Sequence, residues 1–126
     1  MLEYPYARSY RPPAPVLPVG IRRPGTPTSV LVAALVDTGA ALTALPATLP
    51  AQLRLPSAGG MIVAGFDGTP RIVPAYIVEI EVAGRMVVLK AIGLGATALL
   101  GRDALNAMVL TLRGPDAVTL VGPPRS

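Results

Sequence analysis

Glycine and proline interrupt the apolar stretches of this sequence at short intervals, and that punctuation limits what the chain can build. The 13 Gly and 15 Pro separate runs made mostly of Val, Leu, Ile and Ala. Short apolar runs between turn residues are the pattern of β structure. With 126 residues, 52% of them hydrophobic, the chain has the length and content of one folded domain with a modest core, not of a disordered tail. Lys90 and the neighbouring glycines break the richest apolar region, so no stretch is long enough to span a bilayer. The opening Met1-Leu2-Glu3-Tyr4-Pro5 lacks a basic segment leading into an apolar one, so no signal peptide is read and a soluble, cytoplasmic protein is expected.

In chain order, residues 1–15 are rich in Pro and Tyr and are expected to be an extended N-terminal arm, with the folded domain over 16–126. Val16 to Ile21 predicts a short strand, placed at an edge by Pro18. Arg22 to Pro27 is a turn. Ser29 to Val36 predicts a buried strand, and Ala40 to Leu45 a second one. Pro46 to Leu55 has room for one helical turn, interrupted by Pro50. Met61 to Phe66 and Thr69 to Val73 predict a hairpin about Asp67-Gly68, a type I′ signal. From Tyr76 to Val82, Ile and Val alternate with Glu, the period of a half-exposed strand. Met86 to Ile92 follows after a turn at Ala83-Gly84-Arg85. Asp103 is positioned to cap a short helix running through Met108. Val109 to Arg113 and Val118 to Val121 predict a last hairpin about Gly114-Pro115-Asp116.

Composition removes much chemistry. The chain contains neither Cys nor His, which excludes thiolate and Ser-His-Asp catalysis and the usual zinc sites. No metal and no cofactor is expected. Lys90, the only lysine, lies among apolar residues in mid-strand, with no activated serine motif to serve. The net charge of +4 is carried by dispersed arginines, apart from a mild cluster at Arg8, Arg11, Arg22 and Arg23. No basic stripe or RNA-binding motif accompanies them, so neither a nucleic-acid nor a membrane partner is expected. Of the seven carboxylates, Asp37 has a special setting. The apolar run from Val30 to Val36 delivers it to a strand end, and Thr38-Gly39 follows where the backbone must turn. A carboxylate at the margin of a core can have its protonation tuned by burial and by neighbours.

Three features then fall in order: D-T-G-A at Asp37 to Ala40, with Thr43 and Leu45 beyond; the Gly-rich hairpin; and L-L-G-R-D at Leu99 to Asp103. This order resembles the single-lobe, retropepsin-like aspartic proteases, the group of the retroviral proteases and their cellular and bacterial relatives. The resemblance covers about Val16 to Val121. It implies an all-β fold, a closed single-lobe acid-protease barrel with a flap hairpin and one short helix, assembled as a homodimer. It further implies an aspartic endopeptidase that acts on peptide or protein substrates through Asp37 from two subunits and an activated water. Thr38 would brace the two loops across the interface. Gly39 and Ala40 would complete the active-site loop, and Gly65, Phe66, Asp67 and Gly68 would form the flap tip. Leu100, Gly101, Arg102 and Asp103 would be the structural motif behind the loop. From position, Leu42, Ile62, Val63 and Ile92 are expected in the pocket wall.

This sequence departs from the retroviral pattern at Ala41 and Leu42, where acidic residues usually follow D-T-G-A. Arg102 therefore needs another partner, for which Asp103 and Asp116 are the candidates, and Arg102-Asp103 is expected to be a buried ion pair holding helix to loop. Asp67, Pro70 and Pro74 predict a stiffer and more polar flap. The Val109 to Val121 hairpin is expected to serve the dimer sheet. Two plainer alternatives stand beside this reading. Asp37 could simply close an Asx-turn after a strand, or the same lobe could be a catalytically silent dimer that binds extended peptides.

Overall fold

The computed structural model describes residues 1–64 and 67–122, and the flap-tip positions Gly65 and Phe66 lie outside that description. Its centre is a ring of six strands. Strand β2 (Val16–Arg22) pairs antiparallel with β3 (Ser29–Val36), which lies parallel to β8 (Ala98–Leu100). The order continues through β4 (Ala44–Leu45), β7 (Arg85–Gly93) and β6 (Pro70–Val82), and β6 returns to β2 over Val19–Arg22. Pairing of β6 with β2 closes the ring. β5 (Ser57–Ala64) is added outside the ring on β6.

Period-two patterning fills the interior. Leu17, Val19 and Ile21 of β2 and Val78, Ile80 and Val82 of β6 are all almost fully buried. Their neighbours Glu79 and Glu81 take the other face of β6, where the Arg22 guanidinium pairs with Glu79. Each of the larger side chains removed from water this way stabilises the fold by about 1.5–3 kcal/mol. Pro18 lies one place before the β2–β6 pairing begins at Val19. Its missing N–H therefore falls on the part of β2 that pairs on one side only, and the expected edge is confined to Val16–Pro18.

Several local expectations are corrected. The expected strand over Ala40 to Leu45 contracts to Ala44–Leu45, because the carbonyls of Ala40 and Ala41 accept from Arg102 and Asp103 N–H instead of from a neighbouring strand. Pro50 does not interrupt a helix: it stands in the first turn of α1 (Leu49–Leu53), where a missing N–H costs nothing. A second helix, α2 (Arg102–Leu105), starts from Gly101 as N-cap with no side-chain cap, so Asp103 is not the capping residue. The described residues thus hold two short α-helices, one near each place the sequence allowed, where the resemblance implied one. The I′ hairpin geometry occurs at Ala83-Gly84, whose φ values are +51° and +80° between the paired Val82 and Arg85. At the β5–β6 connection Ala64 pairs with Pro70, so the loop is longer than the two residues a turn at Asp67-Gly68 would need.

A second, three-stranded sheet packs on the same core through Val121, Leu110 and Tyr4. Strand β9 (Val109–Arg113) and β10 (Val118–Gly122) form the expected hairpin about a 3₁₀ turn at Gly114–Asp116. Leu2–Pro5, inside the segment expected to be an extended arm, is β1 and pairs with the other side of β10. No helix among the described residues is long and apolar enough to cross a membrane, which leaves strands untested.

Candidate functional site

The end of β3 is gripped from both sides. Val36 N–H donates to the Pro15 carbonyl and Asp37 N–H to the Leu100 carbonyl, each at 3.0 Å. The chain then turns: Ala40 N–H reaches the Asp37 carbonyl at 3.2 Å, and the Asp37 Oδ1 atom accepts Gly39 N–H at 3.1 Å. The Asx-turn is therefore present. A Cβ on Gly39 would stand 3.3 Å from that same oxygen, so glycine allows the close approach. Asp37 is half-buried, whereas Thr38 and Gly39 are exposed.

Behind the turn lies a polar lock. Gly101 packs so closely on residues 42 and 43 that a Cβ there would fall 2.4 Å from the Leu42 carbonyl carbon. No side chain fits. Gly101 N–H donates to Thr43 Oγ1 at 3.2 Å, and the Thr43 hydroxyl donates to Asp103 Oδ1 at 2.7 Å. The Asp103 carboxylate also accepts Thr43 N–H at 3.0 Å. Asp103 thus binds Thr43 and not Arg102, and the expected Arg102–Asp103 ion pair is absent. Arg102 is exposed and donates from Nη1 to the Thr38 carbonyl at 2.8 Å. Asp116 pairs with Arg113 at 2.6 Å instead. A backbone carbonyl replaces the carboxylate that Arg102 lacks, and the guanidinium holds the D-T-G turn from outside.

Thr43 is the residue that sequence reasoning gave no role. It is 3% exposed, and its hydroxyl joins Leu100-Gly101 to Asp103. The signal was a polar residue at a strand position whose flanks are apolar, six places after the Asp, but its partners lie some sixty residues away and have no local mark.

The turn opens onto a groove of about 630 Å³ between the D-T-G loop, β7, β8 and the β5–β6 hairpin. Leu42, Ile62, Val63 and Ile92, expected in the wall, all line it, joined by Leu94 and Leu99. No charged side chain is among its lining residues. Met61 and Val63 lean on a small apolar cluster of Ala44, Val73 and Ile92, which anchors the base of the hairpin. At its far end Asp67 Oδ1 accepts Thr69 N–H at 3.0 Å. The Thr69 backbone bond first, and then its hydroxyl, hold the Asp67 carboxyl below its ordinary value. Gly68 sits at φ +77°, the left-handed region that glycine enters freely. No carboxylate lines the groove, and no trio of acidic, His or Cys side chains is placed to hold a metal among the described residues.

No protein-family model matches the sequence, and no curated protein matches it significantly. Solved structures do. The EIAV protease complexed with the inhibitor HBY-793 aligns with a TM-score of 0.60 at 23% identity, over 74% of this chain and 86% of that one. The simian foamy virus (mac) protease aligns at 0.53 and 22% identity, over 73% and 92%. The retroviral protease-like domain of Ddi1 from Leishmania major aligns at 0.50 and 15% identity, over 84% and 87%. At these identities the likeness is one of fold: the lobe is retropepsin-like.

Proposed function

We propose that this chain is one half of an aspartic endopeptidase. The observation that carries the reading is the turn that starts at Asp37, tied to Leu100 at the end of β3, with its next residues Gly39 and Ala40 lining an uncharged groove. Peptide hydrolysis without metal or covalent intermediate needs a base and an acid together. One chain supplies one carboxylate, so the site requires a second copy on a two-fold axis. Two carboxylates brought that close cannot both ionise, and the pair keeps one proton. The ionised Asp37 takes a proton from water as its oxygen bonds to the peptide carbonyl carbon. The protonated Asp37 gives its proton to the carbonyl oxygen. Collapse of the tetrahedral diol breaks the C–N bond, and the amine leaves with a proton returned by the pair.

In this reading the exposed Thr38 braces the facing loop, and Gly39 and Ala40 let substrate backbone approach. The hairpin, with Gly65, Phe66, Asp67 and Gly68 at its tip, closes over the bound peptide and excludes water. Extended, largely apolar peptides would pair with it as an added strand. The test is cleavage of an unfolded protein or peptide library by wild type and by Asp37→Asn from acidic to neutral pH. Activity at mildly acidic pH that is lost by at least a hundredfold in the variant is expected. Peptide binding with no cleavage in either protein would instead assign the lobe to a silent peptide-binding dimer. Equal cleavage in both would sink the aspartic mechanism.

A further inference from the structure

The proline-rich segment before β2 does not trail into solvent. Ala7 and Ala14 exchange both backbone hydrogen bonds, at 2.8 and 3.2 Å, and so close a loop over residues 8–13. The position of that loop follows from strand register. Val16 lies opposite Leu35, and the Val36 N–H bond to Pro15 carries the alignment one place further. One more step sets Ala14 opposite Asp37. β2 runs away from this end of the sheet, so the loop ahead of it projects past the end where the D-T-G turn sits. Three residues on each limb give it a reach of about 10 Å.

Its charges are free. Arg8 and Arg11 are exposed, and neither makes an ion pair or a side-chain hydrogen bond among the described residues. Tyr10 between them is half-buried, and Pro12 and Pro13 follow on the returning limb. A loop closed by backbone bonds and stiffened by proline holds its cations on the β2 flank of the D-T-G turn with little further ordering to do. On the opposite flank of the turn the Arg102 guanidinium is also exposed. The groove itself offers no charged group to a ligand, so recognition of charge has to come from its margins.

We propose that Arg8 and Arg11 form a cationic specificity loop, which selects peptides carrying Glu or Asp a few residues outside the apolar segment held in the groove. This rests on the peptide-groove reading above. Arginine suits the task because its planar fork binds carboxylates in two-point fashion and stays charged at any working pH. The attraction is between exposed groups and so weakens with salt, the screening length being about 10 Å at 0.1 M.

The test uses fluorescently labelled decapeptides with an apolar centre and a reduced, uncleavable central bond, flanked by Glu in one set and by Gln in the other. Binding is followed by anisotropy for wild type and for Arg8→Gln/Arg11→Gln. The Glu set is expected to bind wild type about tenfold more tightly at low salt, with the ratio falling as salt rises and collapsing towards one in the double variant. Equal binding of both sets, or a preference that survives in the variant, overturns the specificity loop and leaves the groove reading standing. Binding of neither set overturns both. A double variant that no longer dimerises in sedimentation would reassign the loop to the subunit interface. Tight capture of a single-stranded RNA oligonucleotide by wild type but not by the variant would reassign it to nucleic acid. Either result overturns the proposal.

Discussion

At the scale of the residue, the D-T-G turn is backed by a buried hydroxyl. Thr43 Oγ1 both accepts from Gly101 N–H and donates to Asp103. Gly101 is buried and follows Leu100, whose carbonyl holds Asp37 N–H. Replacing Thr43 by Val keeps the shape but leaves that buried N–H without an acceptor, a loss of about 1–3 kcal/mol. Thr43→Val is therefore expected to lower the urea midpoint accordingly and to reduce catalytic turnover through slack in the D-T-G turn. Thr43→Ser, which restores the oxygen, should recover most of both. A Val variant as stable and active as wild type would mean that the lock is incidental. The asymmetry between Thr43 and Arg102 explains what could be read in advance. Leu99 to Asp103 has a recognisable order of types, so Gly101 and Arg102 stand out. The choice of partners does not: with Ala41 and Leu42 in the positions where a carboxylate was wanted, Arg102 turned to the Thr38 carbonyl and Asp103 to Thr43.

At the scale of the element, half-exposed strands were legible and their limits were not. Val78, Ile80 and Val82 alternate with Glu79 and Glu81, and the alternation is a direct imprint of one wet and one dry face. The ends of β4, by contrast, were decided by α2 competing for the Ala40 and Ala41 carbonyls, a tertiary effect with no period. Closure of β2 on β6 pairs residues from distant parts of the chain and leaves no local signal either. The hairpin keeps its turn under acid. The Asp67 carboxyl has its folded value depressed by Thr69, so the bond is fully present above the ordinary carboxylate value. It is lost only as pH falls through the lowered one. Mildly acidic conditions therefore leave the Asp67 turn ionised. The N-terminal strand carries a prediction of its own. β1 covers one side of β10, and Tyr4 packs against the core. Deleting residues 1–6 is expected to cost about 1.5–3 kcal/mol, the burial of one large side chain, read as a lower urea midpoint. For the same reason, intact-mass measurement after prolonged incubation of active protein should find β1 still attached. Rapid loss of those residues with full stability retained would show that β1 is a removable arm.

At the scale of the whole molecule, the argument turns on stoichiometry. The ring of this lobe is closed, yet under the proposed mechanism its one Asp37 is half of an acid–base pair. The outer edge of β9 pairs with no strand among the described residues, and Val109 and Leu112 are exposed along it. An open edge of this kind is where a second copy could add strands, the dimer-sheet role expected of the β9–β10 hairpin from the sequence. A shared site has a signature that no monomeric site can mimic. If wild type and Asp37→Asn are mixed in equal amounts and allowed to exchange, random pairing leaves about a quarter of the dimers with two intact carboxylates. Activity per total site should fall to that fraction, whereas independent sites would keep half. Dilution gives the second arm of the same prediction: below the dissociation constant, specific activity should fall in proportion to concentration, because two chains are needed for each site. Half activity in the mixture, unchanged on dilution, would place both catalytic roles within one chain and remove the pairing of Asp37 on which the mechanism stands.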